Sequence, residues 1–273
     1  MTLPRASVVI RARDEAGAIG RTLELLERQT VGRGALELIV VDSGSADDTV
    51  RIAREAGAHV VELPPERFTY GHALNVGCRE AHSDVLVSLS AHAFPTDPRW
   101  LERLVAMLSK ERVACAYGDR HGPGFAPLEH GWLQDIDAAR RDPFWGYSNS
   151  AGGFRAALWR ERPFREDMPG TEDREWAWHW MERGWLVAID PALAVEHDHS
   201  AEGLAASYRR YRRELEGYGL FLDLPPQGLR DVAREWWREQ GYHRSRLRAR
   251  LDPRRAARLA GAYSGRRRAR ARR

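Results

Sequence analysis

The chain lacks several features that would place it in a secreted or membrane-spanning class. It has two cysteines, Cys78 and Cys115, among 273 residues, which excludes a disulfide framework and is typical of a reducing compartment. No apolar run approaches the roughly 20 residues needed to cross a bilayer, and the first residues lack the apolar core of a secretory signal. These absences predict a cytoplasmic protein.

Lysine is almost absent too, since 42 of the 43 basic residues are arginine. Residues 201–273 carry 20 arginines and 8 acidic residues, a net charge of +12, so residues 1–200 sum to −8. We predict that residues 201–265 form basic amphipathic helices, packed on the main domain or against an anionic membrane surface. Residues 266–273, with the sequence RRRARARR, are predicted to be a disordered tail. A specific nucleic-acid partner is not expected, because no nucleic-acid-reading module is recognisable.

The hydrophobic content of 43% and the ten tryptophans predict a substantial folded core. Through the first 120 residues, short apolar runs alternate with segments of helical periodicity. Strands are predicted at residues 7–12, 36–42, 58–63, 84–90 and 113–118. This rhythm predicts an α/β domain over residues 1–200, with a mostly parallel, Rossmann-like sheet flanked by helices.

Polar residues follow three of these strands, at residues 11–15, 42–45 and 90–93. Because ligands in such sheets bind beyond the carboxyl ends of the strands, we expect the three clusters to meet in one crevice. Asp42 either accepts hydrogen bonds from a base or ribose, or stabilises its own Ser-Gly-Ser turn. His92 either ligates a metal, donates to a phosphate or makes an ordinary hydrogen bond.

Two acidic residues, Glu172 and Asp173, open a predicted helix after a Pro-Gly-Thr turn. Acids in a first helical turn stabilise the helix dipole, so a purely structural role is open. The functional alternative is that one carboxylate removes a proton from an attacking hydroxyl, while Trp176 and Trp178 bind a sugar ring nearby.

Two further histidines, His197 and His199, alternate in the segment EHDHS. In an extended chain they face the same side, and together with His92 they could supply imidazoles to a metal or a diphosphate. A polar strand end without ligand is the other interpretation.

Taken together, these segments resemble the inverting family 2 glycosyltransferases, which have the GT-A fold, and within them the bacterial rhamnosyltransferase-like branch. SVVIRARDEAG resembles the opening strand and turn, with Asp14 where the family usually has Asn, and LIVVDSGSADDT resembles the base-binding strand. FTYGHALNVGCREAHSDVLVSLSAHAFPTDPRWL resembles the stretch through the metal-motif strand. SNSAGGFRAALWRERPF and TEDREWAWHWMERGW resemble the acceptor region and its Glu-Asp motif, and AVEHDHS follows. The likeness covers about residues 5–215.

The resemblance implies a role for each matching residue. Asp173 would be the catalytic base, next to Glu172, and Asp42 would contact the donor base. Ser90 to His92 would stand where the family's Asp-x-Asp motif binds ribose and the metal-diphosphate, with His197 or His199 as a late ligand. The remaining residues implied to bind the nucleotide are Ala12, Arg13, Glu15, His72 and Asn75.

This sequence departs from the family pattern at Ser90-Ala91-His92, which lacks the carboxylates that suit Mg²⁺ or Mn²⁺. Three outcomes stay open: a metal held partly by imidazoles, a metal-free enzyme that uses Arg and His⁺, or a catalytically degenerate nucleotide-sugar-binding protein. For an active enzyme, the resemblance implies inverting transfer from a UDP, dTDP or GDP sugar to a glycan or lipid-linked hydroxyl. That role in polysaccharide biosynthesis would suit a peripheral membrane protein at the inner face of the cell membrane.

Overall fold

The computed structural model describes residues 5–118, 130–197, 202–238 and 252–273. In these residues one sheet has the strand order β3-β2-β1-β4-β7-β5-β8-β6. The strands are β1 (Ala6–Ala12), β2 (Leu36–Asp42), β3 (His59–Glu62), β4 (Val85–Ser90), β5 (Val113–Tyr117), β6 (Trp132–Gln134), β7 (Ala151–Arg155) and β8 (Leu186–Ile189). The helices are α1 (Ile19–Glu27), α2 (Thr49–Glu55), α3 (Tyr70–Arg79), α4 (Trp100–Ser109), α5 (Ile136–Arg141), α6 (Ala156–Glu161), α7 (Glu172–Met181), α8 (Leu204–Phe221), α9 (Leu229–Arg238) and α10 (Pro253–Arg272).

The predicted mostly parallel sheet is confirmed, and the five strands expected in the first 120 residues are present. Two antiparallel strands were not predicted: β7, which lies between β4 and β5, and β6, which pairs with β8. A Cβ at Gly153 of β7 would lie 2.9 Å from Leu104, and one at Gly152 would lie 2.7 Å from Tyr147. The packing that requires these glycines thus removes the apolar alternation by which a strand is recognised.

Helices cover both faces of the sheet, as expected for parallel strands that are buried on both sides. One face packs against α1, α2 and α4 in a core that includes the buried Trp100. The other packs against α3, α5, α6 and α7, around Trp176 and Phe154. This second layer brings the amino end of α7, with its two acidic residues, beside the carboxyl ends of the central strands.

The basic carboxyl-terminal segment forms helices, as predicted, but its last residues differ from the prediction. Residues 266–272, expected to be disordered, continue α10, which runs parallel to α8. A Cβ at Gly265 would lie 2.8 Å from the Glu216 backbone nitrogen, so the two backbones touch. Arg272 then pairs with Glu216 at 3.1 Å and donates to the Asp167 carbonyl at 3.2 Å. Specific partners for its arginines, together with glycine contacts, therefore fix this end of the chain.

Across the described ranges, no helix combines the length and apolar character that spanning a bilayer requires.

Candidate active site

The three polar clusters that follow β1, β2 and β4 meet at one edge of the sheet. Strand register sets Ala12 beside Asp42 and Arg11 beside Ser90. The Asp14 amide donates to the Ser45 hydroxyl at 2.8 Å, which ties the first cluster to the second. The expectation that the three clusters lie together is therefore confirmed, although residues 42–45 do not line the cavity described below.

Asp42 is 3% exposed and directs both carboxylate oxygens into its own turn. Its Oδ2 accepts from the amides of Gly44 and Ser45, each at 3.0 Å, and its Oδ1 accepts from the Ser45 hydroxyl. Gly44 takes the left-handed φ of 86° that the turn requires. In this structure the carboxylate therefore stabilises its own Ser-Gly-Ser turn.

His92 lies at the rim in a carboxylate–imidazole pair. Its Nδ1 is 2.8 Å from Glu15 Oε1, and its ring stacks on that of His197 with centroids 4.9 Å apart. The hydrogen bond with Glu15 raises the pKa of His92 although burial opposes the rise. A bridge between Phe94 and Glu196 holds the His197 segment beside His92.

The two acidic residues that open α7 lie in different surroundings. Glu172 is 3% exposed, and its Oε1 lies 3.3 Å from Arg11 Nη1 and 3.5 Å from Asn149 Nδ2. Burial and the neighbouring Asp173 carboxylate raise the pKa of Glu172. Its contacts make Glu172 a buried anchor between β1 and the loop that precedes β7.

Asp173, by contrast, is partly exposed and lines a cavity of about 760 Å³. Its Oδ2 accepts from the Asn149 amide at 2.9 Å, and its Oδ1 accepts from the Arg174 amide at 2.8 Å. Thr171, in the left-handed region with φ 62°, turns the chain into α7 just before it. Two backbone donors thus fix a solvent-accessible carboxylate in the cavity wall.

The cavity lies between the sheet edge and α8. One wall, here called the sheet-side wall, consists of Arg11, Ser90, His92, Ser148, Ser150 and His197. The opposite, helix-side wall consists of Asp173, Arg174, Arg210, Tyr211, Arg213, Glu214, Leu215 and Tyr218. Tyr70, Phe144, Glu202 and residues 170–172 complete the lining.

The expectation that Trp176 binds a sugar ring is wrong. Trp176 is 0% exposed and donates its indole N–H to the Arg162 carbonyl at 2.7 Å. Three residues beyond Asp173, it lies on the face of α7 that packs into the core. Trp178 does not line the cavity either; among the described residues, the Phe and Tyr rings that do are those of Tyr70, Phe144, Tyr211 and Tyr218.

His72 and Asn75 lie beneath the loop that leads into α7 and do not line this cavity. Asn75 is 1% exposed, and both ends of its amide are occupied, by the Phe164 backbone and by Glu166 and Trp159 side chains. His72 Nδ1 lies 2.7 Å from Glu166 Oε2. For Asn75 the implied place beside the base or phosphates is therefore corrected to a buried structural contact, whereas for His72 it stays a prediction.

The other nominated residues vary in position. Ala12 is buried and offers its carbonyl to the Ser43 amide, whereas the Arg13 side chain is exposed. His199 lies outside the described residues.

In the described part of the chain, no three His, Cys, Asp or Glu side chains converge to hold a metal ion. His92 and His197 alone therefore do not supply the ligand set that Mn²⁺ or Mg²⁺ prefers.

Sequence reasoning missed several residues that hold or line the site. Asn149 donates to both carboxylates of the Glu-Asp pair, and Arg174 and Arg213 line the cavity. Asn149 lies in the motif SNSAGGF and could have been predicted from it, whereas α8 carries no motif that indicates Arg213.

Comparison with known proteins agrees with this architecture, which is that of GT-A proteins. The family model for glycosyl transferase family 2 matches residues 7–187. The chain belongs to this family.

Among curated proteins, the chain is 33% identical over 123 residues to glycosyltransferase AglE of Haloferax volcanii, covering 43% of this chain and 40% of AglE. It is 23% identical over 186 residues to the O-antigen chain rhamnosyltransferase WbaN of Salmonella anatum, covering 60% of this chain and 57% of WbaN. The chain thus matches about half the length of these relatives.

Among solved structures, a mannosyltransferase from Pyrobaculum calidifontis, in complex with GDP-Man and Mn²⁺, has a TM-score of 0.66 at 20% identity. The match covers 94% of this chain and 74% of that protein. S. aureus TarS, residues 1–349, has a TM-score of 0.57 at 16% identity, with 91% and 71% coverage. At these identities the likeness shows the shared fold.

Proposed function

We propose that this chain is an inverting glycosyltransferase that moves a sugar from a nucleoside-diphosphate sugar to a hydroxyl acceptor. The observation that carries the proposal is one cavity in which the Asp173 carboxylate shares a lining with Ser90, His92 and His197. A proton acceptor and a cationic group at one site are the two functions that such a transfer needs. Family membership and structures of similar fold that contain GDP-Man or UDP-GlcNAc support the same donor class.

In the proposed reaction, the acceptor hydroxyl donates its proton to Asp173 as its oxygen bonds to the anomeric carbon. The bond from that carbon to the diphosphate oxygen breaks on the opposite face, and the configuration inverts. The backbone amides of Asn149 and Arg174 orient the carboxylate. A positioned base of this kind contributes about 10²–10⁴-fold to the rate.

Negative charge grows on the leaving diphosphate, and His92 is placed to meet it. Glu15 favours the charged imidazole, since it raises the pKa of His92. A preorganised partner for developing charge contributes about 3–4 kcal/mol in well-studied sites. Because the described residues do not fit a metal, no step of this mechanism depends on one.

A panel of UDP, dTDP and GDP sugars, each with and without Mn²⁺, tests the proposal. A ligand at a hundred times its Kd adds about 2.7 kcal/mol of stability, which a thermal-shift assay detects easily. We expect one donor to stabilise the chain and to release nucleoside diphosphate on turnover. Stabilisation without release, with any acceptor, would instead favour a catalytically degenerate binding protein. No stabilisation by any donor would refute both.

For the acceptor, we propose a glycan or lipid-linked hydroxyl at an anionic membrane surface on the inner face of the cell membrane. Helix α9 supports this, because Leu229 and Trp237 are 72% and 59% exposed, with the exposed Arg230 and Arg234 on the same helix. Apolar side chains among arginines are typical of helices that lie in a membrane interface. Trp236 differs, since it packs under Arg255 of α10.

Vesicle flotation tests this membrane contact. L229A/W237A should lower binding of the full chain to anionic vesicles, whereas L133A, which alters another exposed leucine, should not. Equal flotation of all three proteins would remove the membrane from the proposal.

A further inference from the structure

Four arginines line the cavity, and they differ in how their charge is balanced. Arg11 pairs with Glu172 at 3.3 Å. Arg210 binds Glu202 through two nitrogens, at 2.7 and 3.0 Å, and lies 3.9 Å from Glu214. The fourth lining carboxylate, Asp173, is held by backbone amides.

Neither Arg174 nor Arg213 forms a salt bridge with a described residue, although the Glu214 carboxylate acts on both at longer range and that of Asp173 acts on Arg174. Arg213 donates to the neutral hydroxyl of Tyr70 at 3.1 Å and lies over its ring. Arg174 Nη1 is buried and has no hydrogen-bond acceptor within the described part of the chain. A buried guanidinium nitrogen without an acceptor is costly, so Arg174, together with the positive charge of the half-buried Arg213, favours an anion in the cavity.

Both arginines line the cavity together with the proposed base. Arg174 follows Asp173 on α7, and the Arg213 backbone of α8 lies 3.7 Å from a Cβ built at Gly170. Neither belongs to the sheet-side wall, where His92 would meet the donor diphosphate. Since an inverting transfer places the attacking hydroxyl opposite the leaving group, the helix-side wall faces the acceptor.

We propose that Arg174 and Arg213 bind an anionic group, a phosphate or carboxylate, that the acceptor carries close to its reacting hydroxyl. This inference rests on the proposed function, because it assigns the acceptor to that site. The planar guanidinium presents paired donors that match the oxygens of either group. The rings of Phe144 and Tyr218 pack edge to face, with their centroids 4.9 Å apart, and provide an apolar surface on the same side of the cavity.

The donor's own diphosphate carries the same chemistry, so the test separates the two sources. Inorganic pyrophosphate is titrated into the full chain by calorimetry, with the donor site filled by the nucleoside diphosphate that binds best. R174Q and R213Q should each weaken pyrophosphate binding at least tenfold, with the nucleotide Kd unchanged within twofold. R209Q removes an exposed charge from the same helix and should change neither Kd.

Two results would overturn the inference. If wild-type protein with bound nucleotide binds no pyrophosphate, or if R174Q and R213Q bind it as wild type does, the arginines serve no anion. If both variants weaken nucleotide binding tenfold instead, Arg174 and Arg213 bind the donor and not the acceptor.

Two further arms cover the remaining cases. If R174Q does not fold, R174K replaces it. Lysine keeps the charge but lacks the paired N–H donors of the guanidinium group, so it should weaken pyrophosphate binding by a smaller factor. If no nucleotide binds, the proposed function fails separately, and pyrophosphate titration of H92A then tests the arginines without the donor-side imidazole. If H92A/R213Q binds pyrophosphate with the same Kd as H92A, the inference is wrong.

Discussion

The two walls of the cavity are built on different physical principles. The sheet-side wall consists of side chains at or next to strand ends, and strand register sets Arg11 beside Ser90. The helix-side wall depends on close contact between helices: α10 touches α8, and α8 touches the loop before α7 at Gly217. A wall of the first kind keeps its geometry as long as the sheet forms. One of the second kind depends on a few backbone contacts far from the reacting atoms.

The sharpest test of a helix-side role is Asp173→Asn. It keeps the shape and one of the two amide contacts, because the NH₂ group of Asn cannot accept, and it removes the proton acceptor, so kcat should fall by about 10²–10⁴-fold. The nucleotide Kd should stay within twofold, since His92 and Glu15 are untouched. Nucleoside diphosphate release and calorimetry measure the two quantities. D137N, at an exposed acid of α5, is the control, and turnover near wild type in D173N would exclude Asp173 as the base.

The next largest effect is expected for Gly217→Ala. A Cβ there would lie 3.0 Å from the Gly170 carbonyl carbon and closer still to its oxygen, so α8 or the loop must move. A displacement of about 1 Å at a reacting group can cost roughly 10²-fold, and we expect kcat to fall 10–100-fold by that estimate. The nucleotide Kd should change little, because the sheet-side wall is unaffected.

Gly203→Ala serves as the control for that variant, since a Cβ at Gly203 meets nothing within 4 Å. Overpacking at Gly217 should also cost about 1–3 kcal/mol of stability. A lower Tm with unchanged kcat, measured well below the transition, would show that α8 does not position Asp173.

The same contrast explains how far the sequence could be interpreted. Strand runs and the polar clusters after them predicted Arg11, Ser90 and His92 of the sheet-side wall, because period and position are local properties of the chain. Arg213 and Tyr218 lie on a helix with no motif, and only tertiary packing brings them to the cavity. Residues 266–272 look like a solvated tail in composition, yet the glycines of α10 allow a backbone contact that a pattern of polarity does not reveal.

A smaller effect, confined to the sheet-side wall, is expected for His92→Ala. Hydrogen bonds to charged groups contribute about 1.5–3 kcal/mol, so the nucleoside diphosphate Kd should rise by tenfold or more. His82 is a matched control, since its Nδ1 lies 2.7 Å from Glu37 Oε1 in a similar pair away from the cavity. An unchanged nucleotide Kd in H92A would restrict His92 to a structural role.

The smallest kinetic effect is expected where sequence reasoning placed a ligand contact and the structure shows core. Trp176→Phe removes the indole that donates to the Arg162 carbonyl and leaves space among buried rings. Stability should fall by about 1–3 kcal/mol, since a buried acceptor loses its partner. At roughly 2–4 °C of Tm per kcal/mol for a chain of this size class, a melting curve resolves the loss.

Donor KM and kcat should nevertheless stay within twofold in W176F, because the ring does not reach the cavity. W178F alters a more exposed ring whose indole donates to Glu182 at 3.2 Å, and it should change both Tm and kinetics little. A rise in KM for W176F alone would place the core face of α7 in substrate binding. The assignment of substrate binding to the two walls would then be wrong, because a buried residue behind the helix-side wall would contribute to sugar binding.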